Sequence, residues 1–301
     1  MLHFPISGVE TYWWLPMVVA FFVSMLMSPG GLSGAFLLLP FQVSILGFAG
    51  PAVTPTNLIF NIIAIPSGVY HYWREKRMVW PLAWANVIGT LPGVFIGAYV
   101  RIHLLPDPRS FKLFAGLVLL YISFRLVKDI LKPKPKSPPT TTTSSQFQVS
   151  EMTFSLKSLA YTYEGERFQT PTWGVMLLCF IVGIIGGIYG IGGGAIIAPF
   201  LVTFFRLPVH SIAGASLFGT VVSSVVGVGF YALIAPVYAG TGLTVAPDWL
   251  LGTMFGVGGA LGMYTGARLQ RYIPALLIKI LIAAALLFIS LSYILQFFLK
   301  G

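Results

Sequence analysis

The sequence predicts an all-α integral membrane protein built from two inverted repeats, each with about five helical segments and a Gly-rich broken helix or hairpin at its start. Composition, the order of the apolar segments and an internal repeat lead to this prediction. Hydrophobic residues make up 56% of the 301 residues and charged residues only 9%, and the mean hydropathy is +0.87. Soluble domains carry about 25% charged residues, so this chain is expected to lie mostly within a bilayer.

Apolar segments fall into two groups of five, separated by a polar stretch. They run roughly over residues 12–29, 34–49, 53–72, 80–100, 109–131, 172–188, 194–206, 210–235, 248–268 and 274–299. We therefore expect membrane repeat 1 at residues 1–131, a linker at 132–171 and membrane repeat 2 at 172–301. The linker begins with KPKPKSPPTTTTSS, a run typical of extended or disordered chain. Alternating apolar and polar residues around Glu164-Gly165 predict a β-hairpin in its later part.

The two halves carry the same motifs at a constant offset. SPGGLSGAFLLLPF, residues 28–41, matches GIYGIGGGAIIAPF, residues 187–200, with glycines, proline and phenylalanine aligned at an offset of 159. At the same offset VTPTNLIFN meets IAGASLFGT, so Asn57 stands where the second half has Ser216. Internal duplication of this kind is typical of transporters.

A later glycine series is duplicated as well, at an offset of 169. Gly89, Gly93 and Gly97 match Gly258, Gly262 and Gly266. Small residues at this spacing let two helix backbones approach closely. We interpret both series chiefly as helix-packing faces, used either within one chain or between two copies in a homodimer. A pore-lining role is the other interpretation.

The distribution of basic residues predicts how the halves are oriented. With each Gly-rich segment as one broken span, the eighteen Lys and Arg residues divide eleven to seven across the membrane; with each as a hairpin, they divide fourteen to four. Basic residues concentrate on the cytoplasmic side, which favours the hairpin. Each half then has odd parity, so the repeats are inverted, the termini lie outside and the linker is cytoplasmic. A hairpin that crosses only partly gives the same count, and that choice stays open.

Several other functions are disfavoured by the sequence. The net charge of +10 is assigned to loops that fix membrane orientation, not to nucleic-acid binding. One cysteine, Cys179, excludes an intrachain disulfide, and we expect no cofactor or metal. YGIGGGA resembles a dinucleotide fingerprint, but that motif requires an acidic residue about twenty positions on, where this chain has His210. GLSG resembles the motif of intramembrane serine proteases, which makes a hydrolase using Ser33 the alternative function.

The expected substrate is a small anion. Charged residues are absent from the predicted helix centres, so selectivity must come from the backbone. Each helix that follows a Gly-rich break points its N-terminus, with free N–H groups and partial positive charge, at the break. Glycine lets an anion approach that backbone. Polar pairs one turn apart follow in both halves. The candidate substrate-binding residues are Gly31, Ser33, Gly34, Thr56, Asn57, Asn61, Gly192, Gly193, Gly194, Ser216 and Thr220.

The segments GIYGIGGGAIIAPFL, IAGASLFGT and GALGMYTGARL, in this order, resemble the sulfite exporter TauE/SafE family of bacterial membrane permeases, and the resemblance spans nearly the whole chain. It implies a polytopic inner-membrane transporter, not an enzyme, for sulfite, thiosulfate, sulfonates or related anions. We expect alternating access as the mechanism. In the first half PGGLSG replaces the glycine triplet, so the site is expected to be asymmetric and the substrate need not be sulfite itself.

Overall fold

The protein, as seen in a computed structural model, is mainly helical, and residues 1–27, 33–131, 149–163, 165–269 and 275–299 are described. Within these residues five helices are long and apolar enough to cross a membrane, and shorter apolar helices accompany them. Large apolar side chains such as Phe124 and Phe288 are exposed on the outside of the bundle (66% and 73%), as expected for a lipid-facing surface. The predicted helical membrane protein is therefore confirmed, but the prediction of an all-α fold is wrong, because the chain also forms two small sheets.

In the first half the helices are α1 (Leu15–Met27), α2 (Ala35–Ser44), α3 (Val53–Ala64), α4 (Pro66–Arg74), α5 (Trp80–His103) and α6 (Pro108–Leu131). In the second half they are α7 (Thr172–Tyr189), α8 (Gly194–Phe205), α9 (Val209–Ile234), α10 (Trp249–Leu269) and α11 (Ala275–Leu299), with a 3-10 turn at Ala235–Tyr238. The predicted segment 53–72 is divided in two, because Pro66 has no N–H to donate to the preceding turn and begins a new helix instead.

Two small antiparallel sheets accompany the helices. The strands are β1 (Leu2–Phe4) and β2 (Val9–Thr11) in one sheet, and β3 (Val149–Phe154), β4 (Leu159–Tyr163) and β5 (Glu166–Thr170), in that order, in the other. Tyr163 pairs with Glu166, and Gly165 has a φ of +79°, so the β-hairpin predicted at this glycine is confirmed. The sequence analysis did not predict β3 or the N-terminal hairpin.

Both glycine series pack against the backbone of one neighbouring helix, α5 against α7 and α10 against α1. The missing Cβ atoms would meet main-chain atoms in six contacts: Gly89 with Met176, Gly93 with Phe180, Gly97 with Ile184, Gly258 with Met17, Gly262 with Phe21 and Gly266 with Met25. In each series the residue numbers of the glycines and of their contacts rise together, so the two helices of each pair run parallel. The close-packing interpretation is confirmed, and the contacts lie within one chain.

Helix α8 folds back along α7. A Cβ on Gly193 would lie 3.4 Å from the Gly183 Cα atom, and one on Gly174 would lie 3.4 Å from the Phe205 ring. The beginning of α8 therefore lies beside the later part of α7, and its end lies beside the start of α7. With twelve residues, α8 is about 18 Å long, shorter than the apolar core of a bilayer, which is about 30 Å thick.

The two ends of the bundle are held by different contacts. At one end, called the Asp248 face, the Ser7 hydroxyl donates to Asp248 Oδ2 at 2.8 Å and the Ala52 N–H donates to the Thr244 carbonyl. Arg101, in the last turn of α5, reaches this face by donating to the carbonyls of Ala49 and Gly50 at 2.8 Å. The sequence analysis placed Arg101 in a loop; the structure buries it completely.

At the opposite end, called the Tyr161 face, β4 packs on the start of α9. The Tyr161 hydroxyl lies 2.7 Å from the Ser211 hydroxyl, which itself donates to the Pro208 carbonyl. The Val149 N–H donates to the Lys76 carbonyl, just before α5. The linker sheet is therefore attached directly to the helical bundle.

Candidate functional site

The second Gly-rich segment forms a tight turn between α7 and α8. Gly190 and Gly192 have φ values of +83° and +73°, a region that L side chains rarely adopt. A Cβ on Gly190 would lie 2.6 Å from the Thr54 carbonyl oxygen. We expected the non-helical turn at 192–194; it spans residues 190–193, and Gly194 is already the first residue of α8.

This turn lies beside the middle of a long helix. A Cβ on Gly193 would lie 2.5 Å from Thr90 Cγ2, and Thr90 is close to the centre of α5. The Gly193 N–H donates to the Ser223 hydroxyl on α9 at 3.2 Å. Protein groups therefore pair with this non-helical backbone, which is the condition for a break at membrane depth.

The first Gly-rich segment is described only from Ser33 onward, and Gly31 lies outside the described residues. Gly34 caps the beginning of α2. A Cβ on Gly34 would lie 3.4 Å from the Ser24 Cα atom. Because Ser24 and Gly34 precede Gly183 and Gly193 by 159 residues each, this contact repeats the one between α7 and α8.

Asn57 joins the two Gly-rich segments. Its amide nitrogen donates to the Ala35 carbonyl at 3.2 Å and to the Gly190 carbonyl at 3.0 Å. Its oxygen accepts from Gln42 Nε2 at 3.1 Å. Asn57 is fully buried, so both of its donors serve main-chain carbonyls from opposite halves of the chain.

Asn61 makes a second bridge one turn along α3. Its nitrogen donates to the Ile191 carbonyl at 2.9 Å and to the Ser224 hydroxyl at 3.4 Å. Its oxygen accepts from the Ser33 hydroxyl at 3.1 Å. The polar face predicted on α3 therefore packs directly between the two breaks.

The predicted polar face on α9 lies against the start of α8. A Cβ on Gly194 would overlap the Ser216 carbonyl oxygen and lie 2.5 Å from Thr220 Oγ1. The Thr220 hydroxyl donates to the Ser216 carbonyl at 2.9 Å. The Ser216 hydroxyl is 5% exposed and has no hydrogen-bond partner among the described residues.

Thr56 lies apart from this group. Its hydroxyl donates to the Ala52 carbonyl at 2.7 Å and accepts from the Asp248 N–H at 2.9 Å. It therefore ties the start of α3 to the start of α10 at the Asp248 face. The other described candidates converge on the two breaks.

The structure adds polar residues that the sequence analysis missed. They are Gln42, Asn86, Thr90, Ser223 and Ser224, all buried. Asn86 and Thr90 are spaced four apart, like Asn57 and Asn61, and this spacing was the available indication. The candidates were chosen as polar positions repeated in both halves. Asn86 and Thr90 did not qualify, because the positions 169 residues later hold Phe255 and Gly259.

The candidate site is polar but carries no formal charge. Among the described residues the buried ionic side chains are Arg101 and Asp248, both at the Asp248 face. The described residues contain no group of His, Cys, Asp and Glu suited to a metal. Two clefts, of about 330 and 140 Å³, adjoin Tyr238, and neither is lined by a candidate residue.

Among the described residues, the serine hydrolase alternative has no base beside Ser33. The Ser33 hydroxyl donates to the amide oxygen of Asn61, a group that does not accept a proton as histidine does. His3 and His71 contact Glu10 and Glu75, and His103 contacts Tyr238. The side chain of His210 is outside the described residues.

The chain is similar in sequence to known membrane proteins. The family model described as sulfite exporter TauE/SafE matches residues 16–293. The probable membrane transporter protein YunE of Bacillus subtilis is 28% identical over 57% of this chain and 58% of its own length. YdhB, of the same organism and description, is 32% identical over 40% of this chain and 45% of its own length. The match thus spans about half of each of these relatives.

A probable membrane transporter protein of Xylella fastidiosa is 25% identical over 80% of this chain and 79% of its own length. No solved structure gives a significant match. These relatives are named as probable membrane transporter proteins and not as enzymes, and the matching family is described as an exporter.

Proposed function

Because the chain belongs to the sulfite exporter TauE/SafE family, we propose that it is a permease that carries a small sulfur-containing anion, such as sulfite or an organosulfonate, by alternating access. The observation that carries this proposal is the meeting of the two Gly-rich breaks through Asn57 and Asn61. Broken helices that meet in mid-membrane are where transporters of this architecture bind their substrates.

Inverted repeats, at residues 1–131 and 172–301, are part of the proposal. They are supported by the directions in which corresponding helices run. Helix α5 ends at the Asp248 face, through Arg101, whereas its counterpart α10 begins there, after Asp248. Helices α7 and α1 run parallel to α5 and α10, respectively, so the first helices of the two halves also start at opposite faces. In alternating access, the two repeats then exchange their conformations, so that the site opens first to one side of the membrane and then to the other.

The proposed substrate-binding surface includes Ser33, Gly34, the turn at Gly192–Gly194, Ser216 and Thr220. The glycines let Thr90 and Thr220 pack closely against the start of α8, and a helix N-terminus favours negative charge. Asn57 and Asn61 are assigned a bridging role, because their amide donors serve main-chain carbonyls in this conformation.

The proposed location is a bacterial inner membrane, with the linker 132–171 and the Tyr161 face in the cytoplasm. The support is the fourteen-to-four division of basic residues. A homodimer would need a surface other than the two glycine series, because these pack within the chain.

Uptake into proteoliposomes tests the function directly. We expect faster entry of at least one of sulfite, thiosulfate and methanesulfonate than into protein-free vesicles. Gly194→Val should abolish that entry, because its side chain would overlap the Ser216 carbonyl. Gly229→Ala is the matched control, since nothing lies within 4 Å of its added methyl group. Failure to move any of the three anions would overturn the proposal.

A further inference from the structure

The two halves differ most where α5 meets α9 and where α10 meets α3. Asn86 and Gly219 correspond to Phe255 and Phe60 at the repeat offsets. Where α10 meets α3, the Phe60 ring fills the space beside Gly259. Where α5 meets α9, the Asn86 amide lies against Gly219. Phenyl rings therefore occupy one junction, and an amide occupies the other.

The orientation of the Asn86 amide is fixed by its neighbour. Its nitrogen donates to the Ala215 carbonyl at 3.3 Å, and a carbonyl can only accept. The amide oxygen is consequently on the other side, and no described residue hydrogen-bonds it although Asn86 is 1% exposed. A buried acceptor left in this way costs free energy comparable to a lost hydrogen bond.

A second unpartnered group belongs to the same junction. Ser216 follows Ala215 on α9, and its hydroxyl also lacks a partner in the part of the chain that the structure describes. Gly193 touches Thr90, one turn from Asn86, and Gly194 touches Ser216. Helices α5 and α9 and the N-terminus of α8 thus converge here with a carbonyl-type acceptor and a hydroxyl both unsatisfied.

Charge limits which ion this junction can hold. No lysine, arginine or histidine is among the buried side chains described at the junction, and uncompensated charge is expensive to bury. The solvation cost rises with the square of the charge, so a dianion is penalised far more than a monoanion. A protonated oxyanion has the lower charge and also supplies an O–H donor.

We propose that Asn86 is a specificity-determining residue whose amide oxygen accepts a hydrogen bond from the carried ion, so that the transported species is a singly protonated oxyanion such as hydrogen sulfite. This inference rests on the proposed function and specifies its substrate. The ion sits at the α5–α8–α9 junction, with the Ser216 hydroxyl as a second partner.

Titratable groups on the elements around Asn86 are few. On α7, Cys179 packs against Gly89; on α4, Tyr72 packs against Gly214 and lies under Arg77, which is paired with Glu75. None of them hydrogen-bonds Asn86, which donates to the Ala215 carbonyl. The pH dependence of transport therefore follows the protonation of the substrate.

Proteoliposome uptake with three probes separates charge from donor recognition. Sulfite gains its proton from mildly basic to mildly acidic pH; thiosulfate stays a dianion and methanesulfonate stays a monoanion without an O–H group. We expect sulfite uptake to rise with the hydrogen sulfite fraction and thiosulfate uptake to be slow. Asn86→Leu, which is similar in size, should reduce hydrogen sulfite uptake about 5- to 150-fold and methanesulfonate uptake less than twofold. Ser123→Ala, at the α6–α11 contact, is the control.

Each other outcome contradicts a definite claim. Equal loss of hydrogen sulfite and methanesulfonate transport in Asn86→Leu, or no loss of either, would remove Asn86 from substrate recognition. Sulfite uptake that rises with the dianion fraction would exclude the protonated species, and this measurement needs only the parent protein. Absence of all three activities in the parent protein would instead overturn the proposed function.

Discussion

Ser216 has a buried hydroxyl that none of the described residues bonds. For Ser216→Ala we expect substrate affinity to fall about 5- to 150-fold while the melting temperature changes little. Equilibrium binding and thermal melting of the purified protein measure the two effects. Parental affinity in this variant would show that the substrate does not contact α9 at this position.

Replacing Asn57 should lower the stability of the protein more than its affinity for the substrate. Asn57→Ala leaves the Ala35 and Gly190 carbonyls and the Gln42 amide without their partner, so the free energy of unfolding should fall by about 1–3 kcal/mol. Asn57→Asp should not restore stability, because a carboxylate has the same shape but no N–H donor. Denaturation in detergent measures the change. A stable Asn57→Ala protein that had lost only affinity would identify Asn57 as a direct ligand and not a bridge.

At the scale of an element, the α7–α8 turn depends on glycine for two reasons. Gly192 has a φ of +73°, and an added Cβ would lie 2.9 Å from Thr220 Cγ2. Gly192→Ala should therefore destabilise the protein by about 1–2 kcal/mol from backbone strain alone and reduce transport.

Gly229→Ala is the matched control for this element. It lies inside α9 with open space around its Cα, so alanine should be neutral or stabilising by up to about 1 kcal/mol. Thermal melting distinguishes the two variants. A neutral Gly192→Ala would mean that the turn relaxes without its left-handed residue.

The linker sheet is a second element with a defined attachment. Burial raises the pKa of Tyr161 to about 12 from 10.0, despite the opposing hydrogen bond with Ser211. The raised pKa means that folding favours the neutral phenol, so this stabilisation is complete below pH 10.0 and is lost as the pH rises to about 12.

Tyr161→Phe removes both the hydrogen bond and this ionisation. We expect a loss of about 1 kcal/mol at neutral pH and a difference from the parent protein that shrinks above pH 10.0. Thermal melting of both proteins across alkaline pH tests this. A constant difference between them at every pH would mean that Tyr161 does not titrate within the fold.

At the scale of the whole molecule, the proposed orientation places the two faces in different compartments. Single cysteines at Ser155, in the linker, and at Thr241, at the Asp248 face, are both exposed positions. In a Cys179→Ala background, an impermeant reagent added to intact cells should label the cysteine at 241 and leave that at 155 unlabelled. Labelling only at 155 would reverse the orientation.

Much of this architecture could be predicted from local sequence. Composition determined the membrane setting, because apolar segments of this length have few other stable environments. Duplication predicted two similar Gly-rich segments, and the φ values of Gly190 and Gly192 show why the second requires glycine. The turn at Gly165 was predictable for the same local reason.

The roles of the polar side chains were decided only by the tertiary structure. Asn57 pairs with Gly190 across 133 residues and Asn86 pairs with Ala215 across 129, and no local pattern specifies which helices become neighbours. Repeat symmetry suggested that Asn57 and Ser216 act alike. Packing instead gives Asn57 two carbonyl partners, whereas no described residue bonds the Ser216 hydroxyl. A hydrogen bond depends on what lies opposite, and in this protein the opposite group comes from the other half of the chain.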